Sequence, residues 1–143
     1  MADSRSSWKL DRQLASDLVA ARQLQEEVLH QLERAEWSPR DIHAVRLGLE
    51  EAMVNAIVHG NRRDPAKKVS VSCRLDDERL RVEIADEGEG FDPDALPDCT
   101  GPEQIECPRG RGVMLMRHFM TSVKYNAKGN AVSIEKRRED PPE

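Results

Sequence analysis

Apolar residues recur at helical spacing in two stretches of the N-terminal half of the chain. From Gln13 to about Glu36 this spacing predicts a first long helix. Ser38 and Pro39 then have the residue types of an N-cap and a first helical position, and they predict the start of a second helix. Its apolar face should continue to a glycine stop near Gly60. The apolar positions of the two helices are Leu14, Leu18, Ala21, Leu24, Val28 and Leu32, followed by Ile42, Val45, Leu49, Ala52, Met53 and Ala56.

The second half alternates apolar and polar residues, as expected for strands with one buried face. Residues 69–73 and 80–84 predict a hairpin across an acidic turn at 76–78, and residues 122–126 and 131–136 predict a last hairpin. Residues 6–10 suit an opening strand, and 113–120 suit a short helix that follows an irregular lid at 87–112. The order predicts an α+β fold, a two-layer sandwich whose mixed, mostly antiparallel sheet is covered on one face by helices. We expect one domain over residues 1–138 and a frayed tail at 139–143.

The charge distribution limits which classes of binding partner suit the protein. The 143 residues carry a net charge of -5, which weakly disfavours direct binding of nucleic acid. Nine acidic and two basic residues fall within 76–94, whereas eight basic residues and one acidic residue fall within 109–138. If the acidic stretch faces a polyanion, a divalent cation has to lie between them. No apolar run suits a membrane span, and residues 1–5 lack the apolar core of a signal peptide, so we expect a cytoplasmic protein.

Glu51 and Asn55 are four residues apart on the second helix and therefore share one face. Gly48, one turn earlier, should leave space beside them, so the pair could form a pocket wall; an ordinary exposed polar face is the alternative. His59 could be a ligand, although a capping or core role suits it better. Two cysteines, Cys99 and Cys107, could join a distant histidine at zinc, but their spacing matches no standard zinc site.

Two glycine-rich segments follow the strands. Asp86 is delivered by a strand end, and Gly88 and Gly90 come after it, where they could let the backbone approach a ligand closely. A carboxylate fixed at this place can accept a hydrogen bond from an amino group such as that of adenine. A plain glycine turn is the alternative.

The second segment contains Arg109, Gly110, Arg111 and Gly112, and it leads into the predicted short helix. Free N–H groups at a helix N-terminus bind phosphate, and arginine adds fork-shaped donors. The alternative is the end of a flexible lid with solvated arginines. The phosphate-binding pattern GxxxxGK[ST] does not occur in the sequence.

Taken in order, the three features resemble the GHKL family of ATP-binding domains, which have the Bergerat fold. Residues 51–61 (EAMVNAIVHGN) resemble its N-box, residues 86–91 (DEGEGF) its G1 box, and residues 110–112 (GRG) its G2 box. Within the family, the chain is most similar to the anti-sigma-factor serine-protein kinases.

The resemblance implies a role for each matched residue. Asn55 would bind Mg²⁺ together with the triphosphate of ATP, Glu51 would be the general base, and Asp86 would hold the adenine amino group. Gly88 and Gly90 would open the backbone near the base. Gly110 and Gly112 would hinge the lid, and either Arg109 or Arg111 would meet the γ-phosphate.

The resemblance also implies a function. We expect an ATP-dependent serine/threonine-protein kinase that phosphorylates a small antagonist protein (STAS-like) and so controls partner switching with a sigma factor. A nucleotide-gated module that sequesters a sigma factor without kinase activity is the second hypothesis, and a plain structural domain is the third. Related kinases form dimers, so a homodimer is a further expectation, whereas neither nucleic acid nor a membrane is expected as a direct partner.

Overall fold

The computed structural model describes residues 7–90 and 108–139, and within the second range it describes side chains from residue 112 onward. These described residues form five strands and three α-helices. The strands are β1 (Trp8–Ala15), β2 (Lys68–Leu75), β3 (Arg79–Ala85), β4 (Ser122–Tyr125) and β5 (Ala131–Arg137). The helices are α1 (Leu18–Arg34), α2 (Pro39–Val54) and α3 (Pro108–Phe119), and a π-helix (Asn55–Gly60) extends α2.

The strands form one sheet in the order β1-β2-β3-β5-β4, and every neighbouring pair within it is antiparallel. Alternate residues of each central strand are buried, so one face of the sheet packs against the helices and the other is open to solvent. The buried residues of helices and sheet form a single apolar core. The predicted α+β two-layer sandwich is confirmed, and so are both predicted hairpins.

The second helix begins as its sequence predicts. The Ser38 hydroxyl accepts a hydrogen bond from the backbone N–H of Asp41 at 3.1 Å, and Pro39 is the first helical residue. The helical segment also stops at Gly60, but its last six residues widen into the π-helix. Such widened turns are uncommon and are frequently found at functional sites.

The first helix begins later than its apolar spacing predicts. Gln13 and Leu14 belong to β1, which extends to Ala15, and Leu14 is buried on the covered face of the sheet. Asp17 ends the strand region and caps α1, because its carboxylate accepts a hydrogen bond from the N–H of Val19 at 2.9 Å. A leucine that continued a helical stripe therefore belongs to a strand.

The third helix begins earlier than predicted. Its first residue is Pro108, at a position where the missing N–H of proline costs no hydrogen bond. Because the helix starts there, Gly110 and Gly112 lie inside α3 instead of before it. At the C-terminus, the N–H of Glu139 donates to the Asp41 carboxylate at 3.0 Å, so the first residue of the expected frayed tail is anchored. Within the described ranges, no helix is long and apolar enough to cross a membrane.

Candidate functional site

Asn55 lies at the start of the π-helix and is almost completely buried, with 5% of its surface exposed. Its side-chain Nδ2 donates a hydrogen bond to the hydroxyl oxygen of Tyr125, at the end of β4, at 3.3 Å. A buried carboxamide needs such partners to offset the loss of water. The sheet therefore holds the side chain of Asn55 in one orientation.

Glu51 and Asn55 both face the first turns of α3. A Cβ atom added to Gly112 would lie 3.0 Å from the Glu51 Oε2 atom and 3.4 Å from the Oδ1 and Nδ2 atoms of Asn55. Glu51 is half-buried, and this burial, together with the neighbouring charge of Glu50, raises the pKa of its carboxyl. The pair therefore forms a polar wall directly against α3, and the two side chains share one face, as their spacing predicts.

Asp86 follows β3 and lies against the end of the π-helix. Its Oδ1 atom accepts a hydrogen bond from the N–H of Gly88 at 2.8 Å, and its own N–H donates to the carbonyl oxygen of Asn130 at 2.8 Å. A Cβ atom on Gly60 would come within 2.4 Å of the Asp86 carboxylate, and one on Gly88 within 2.2 Å of the Gly60 carbonyl oxygen. Glycine at both positions therefore lets the two backbones and the carboxylate meet.

Gly90 has a positive φ of 83°, and a Cβ atom there would lie 2.0 Å from the carbonyl oxygen of Lys128. Any other residue would be strained at this angle and would also collide with the turn between β4 and β5. The glycine therefore lets the start of the lid segment pack against that turn.

Asn55 and Asp86 line the same small cavity, which has a volume of about 10 Å³. This is room for about one water molecule, so any nucleotide base that enters must widen it. A second cavity of about 290 Å³ is lined by Gly60, His59, Arg62, Lys67, Glu89 and Gly90. Gly60 lines this second cavity and lies against the carboxylate of Asp86, which lines the first one.

Two further expectations from the sequence are changed by the structure. The space beside Gly48 is filled by the side chain of Met120, the residue after α3, since a Cβ atom on Gly48 would lie 2.7 Å from it. Gly48 therefore allows close packing of two helices and does not open a pocket. His59 is half-buried and lines the larger cavity, so it is not a core residue.

Several residues of the predicted site lie outside the described ranges. Phe91 and the rest of the lid to residue 107, including Cys99 and Cys107, are not described, and neither are the side chains of Arg109 and Arg111. The assignment of one of these arginines to the γ-phosphate stays a prediction, as does the hinge role of Gly110 and Gly112.

Sequence reasoning missed Tyr125 and gave no role to Asn61, the last residue of the stretch that resembles the N-box. Tyr125 is the only tyrosine of the chain and sits at a strand end, which is the single signal that could have drawn attention to it. Asn61 directly follows the glycine stop and resembles an ordinary helix cap. Its contacts join segments that are distant in sequence.

Comparisons with known proteins identify the family of the chain. A family model described as a histidine kinase-like ATPase domain matches residues 14–136. The anti-sigma F factor of Oceanobacillus iheyensis is 30% identical over 102 residues, covering 67% of this chain and 69% of that protein. The serine-protein kinase RsbW of Bacillus subtilis is 31% identical over 104 residues, covering 67% of this chain and 64% of that protein.

A solved structure also shares the fold. The crystal structure of the RsbU and RsbW domains of a Mycobacterium tuberculosis protein aligns with a TM-score of 0.63 at 16% identity, over 94% of this chain and 33% of that chain. The match to the family model covers most of the sequence, including Glu51, Asn55 and Asp86. The chain therefore belongs to the family of histidine kinase-like ATPase domains.

Proposed function

We propose that the chain is an ATP-dependent serine/threonine-protein kinase of the anti-sigma-factor type. It transfers the γ-phosphate of ATP to a hydroxyl group of a small antagonist protein, and this transfer controls partner switching with a sigma factor in the cytoplasm. The observation that carries the proposal is the position of Asn55, which lies beside Glu51 against Gly112 of α3 and lines one small cavity together with Asp86. The names of the relatives supply the substrate class.

Asp86 is the proposed anchor for adenine. Its carboxylate can accept a hydrogen bond from the exocyclic amino group, and the apolar side chains of Ala52, Ala56 and Ile84 line the same cavity. Apolar side chains beside a few well-placed polar groups are the usual arrangement of a site for a small ligand. Gly88 is needed because its contact with Gly60 leaves no room for a side chain.

Asn55 is the proposed protein ligand of Mg²⁺. Among the described residues, no group of three or more His, Cys, Asp or Glu side chains could hold a metal ion by itself. This fits an ion that arrives with the triphosphate and takes few protein ligands. Since Tyr125 accepts a hydrogen bond from the amide nitrogen of Asn55, the amide oxygen is the atom to serve as ligand. Bound Mg²⁺ would supply neutralisation of the phosphate charge.

Glu51 is the proposed general base. Its carboxylate lies one helical turn before Asn55 and beside the N-terminal part of α3, where Arg109 or Arg111 would meet the γ-phosphate. Because burial raises the pKa of Glu51, its carboxylate is a better proton acceptor than an exposed one. It would take the proton of the attacking serine or threonine hydroxyl as the phosphoryl group is transferred.

Transfer of labelled phosphate from ATP to the antagonist tests the proposal, with Glu51→Gln and Glu50→Gln compared. Both variants remove one carboxylate from the same turn, but only Glu51 faces Gly112. We expect Glu51→Gln to lower the rate about 100-fold or more and to leave ATP affinity within a few-fold, whereas Glu50→Gln keeps the activity. Equal activity of Glu51→Gln and wild-type protein would remove the assignment of the base.

A second candidate function is a nucleotide-gated binding module without phosphotransfer. The contact of Gly112 with Glu51 and Asn55 favours it, because a nucleotide at this wall would act directly on α3 and on the lid before it. Partner affinity that differs between ATP and ADP, with no labelled product at any partner, would support this function. Equal affinities with the two nucleotides would refute it.

The resemblance to dimeric kinases leads us to propose a homodimer as well. Sedimentation equilibrium over a range of concentrations tests it. A single species with the 16.2 kDa mass of one chain at all concentrations would contradict it.

A further inference from the structure

Asn61 is the residue after the π-helix, and it is buried with 1% of its surface exposed. Its Nδ2 atom donates to the Ser16 hydroxyl oxygen at 2.9 Å and to the Lys68 carbonyl oxygen at 3.0 Å. Its Oδ1 atom accepts a hydrogen bond from the N–H of Glu87 at 2.7 Å. A buried amide with this many good hydrogen bonds fixes the relative position of every group that it joins.

The partners of Asn61 are themselves connected. Ser16 is buried, and its hydroxyl donates to the carbonyl oxygen of Lys67 at 2.7 Å. The N–H of Lys68 donates to the Glu87 carboxylate. One network therefore ties the end of β1 and the start of β2 to the segment that leaves β3. These three points of the chain are far apart in sequence, and no other side chain in the network touches all three.

The backbone after Asn61 is strained. Arg62 and Arg63 have φ angles of 54° and 57°, a left-handed conformation that is costly for residues other than glycine. Two backbone hydrogen bonds of Asn61 hold the segment on both sides of these strained residues. Before them, the N–H of Asn61 donates to the Ala56 carbonyl oxygen at 2.8 Å; after them, the N–H of Asp64 donates to the Asn61 carbonyl oxygen at 3.0 Å. Strain of this kind persists only where surrounding contacts determine the conformation.

We infer that Asn61 is a positioning residue for recognition of adenine, acting through the backbone of Glu87 on the carboxylate of Asp86. This inference rests on the proposed function, in which Asp86 accepts the adenine amino group. Asp86 is held on one side by its own N–H bond to Asn130 and on the other by the bond between Glu87 and Asn61. Loss of Asn61 frees the second side, so the carboxylate no longer meets the base at hydrogen-bond distance.

Equilibrium binding of ATP and of inosine triphosphate, which has an oxo group in place of the adenine amino group, tests the inference. Wild-type protein should prefer ATP. In Asn61→Ala, affinity for ATP should fall about tenfold, with affinity for inosine triphosphate nearly unchanged, so the ratio of the two collapses. Ser16→Ala removes one partner of Asn61 and leaves the Glu87 bond in place, so the ratio should fall about two- to threefold.

Val28→Ala is the matched control, because Val28 is fully buried in α1 and outside the network. It lowers stability but should keep the wild-type ratio, so a general loss of stability is distinguished from positioning. An unchanged ratio in Asn61→Ala overturns the inference, and if that variant does not fold, an unchanged ratio in Ser16→Ala overturns it. A wild-type protein that binds both nucleotides equally would instead refute the role of Asp86 and the proposed function.

Discussion

The contact between Gly88 and Gly60 gives the sharpest test of how the adenine anchor is built. In Gly88→Ala, the new Cβ atom would lie 2.2 Å from the Gly60 carbonyl oxygen, whereas ordinary contact begins at 3.4 Å, so the two backbones must separate by the difference, about 1.2 Å. A hydrogen bond tolerates an increase of only about 0.5 Å in its donor–acceptor distance. The new Cβ atom would also lie 2.9 Å from the Asp86 Oδ1 atom, so the carboxylate must shift too and the hydrogen bond from Gly88 to Asp86 should break. We expect ATP affinity to fall at least about tenfold.

Titration calorimetry with Mg-ATP measures this loss, and thermal unfolding measures the accompanying loss of stability, which should be about 1–3 kcal/mol. Gly48→Ala is the matched control: its Cβ atom meets the Met120 side chain at 2.7 Å, and a methionine can move aside. It should keep ATP affinity within about twofold, because it lies outside the anchor. A folded Gly88→Ala protein that binds ATP like the wild type would refute the reasoning.

Three further predictions concern single side chains. Tyr125→Phe removes the partner of the Asn55 amide and should weaken Mg-ATP binding about fivefold by calorimetry; binding that is unchanged would show that this hydrogen bond does not orient the ligand. The transfer rate should fall as pH decreases through the raised pKa of Glu51, because the protonated carboxyl accepts no proton, so a pH–rate profile should show an acid limb centred above the ordinary value of 4.5; a limb at or below that value would contradict the assignment. Burial raises the pKa of the Cys73 thiol to about 12, so mass spectrometry should find no alkylation of Cys73 in folded protein at pH 8 and full alkylation after unfolding; rapid labelling of the folded protein would refute the buried position.

Local signals in the sequence were sufficient for much of the fold. Ser38 and Pro39 predict the start of α2, and Gly60 predicts its end, because caps and glycine stops act through neighbouring backbone groups. The alternation in β2 and β3 predicts their hairpin, since each strand has one buried face. The pairing of Glu51 with Asn55 on one helix face follows from the same local geometry.

The predictions from sequence are wrong where tertiary contacts determine the secondary structure. Leu14 continues a helical stripe in sequence, but pairing of β1 with β2 places it in a strand opposite Val69. The glycines at 110 and 112 suggest a break, yet α3 includes both. In each case a local pattern was ambiguous, and contacts with distant segments selected the conformation.

Local sequence patterns also fail to predict the long-range contacts of the candidate site. Asn61 joins Ser16, which is 45 residues away, to Glu87, which is 26 residues away, and no local spacing in one sequence predicts such bonds. The partnership of Asn55 with Tyr125 spans 70 residues. The resemblance to a family indicated the candidate residues of the site, but the contacts that hold those residues could be found only in the folded chain.

The most direct test of the central claim is a crystal structure of the protein with Mg²⁺ and a non-hydrolysable ATP analogue. The account predicts that the adenine amino group lies about 2.7–3.2 Å from the Asp86 carboxylate, and that the Asn55 amide oxygen contacts the metal at about 2.0–2.1 Å. A nucleotide bound elsewhere on the chain, or one whose base does not meet Asp86, would contradict it.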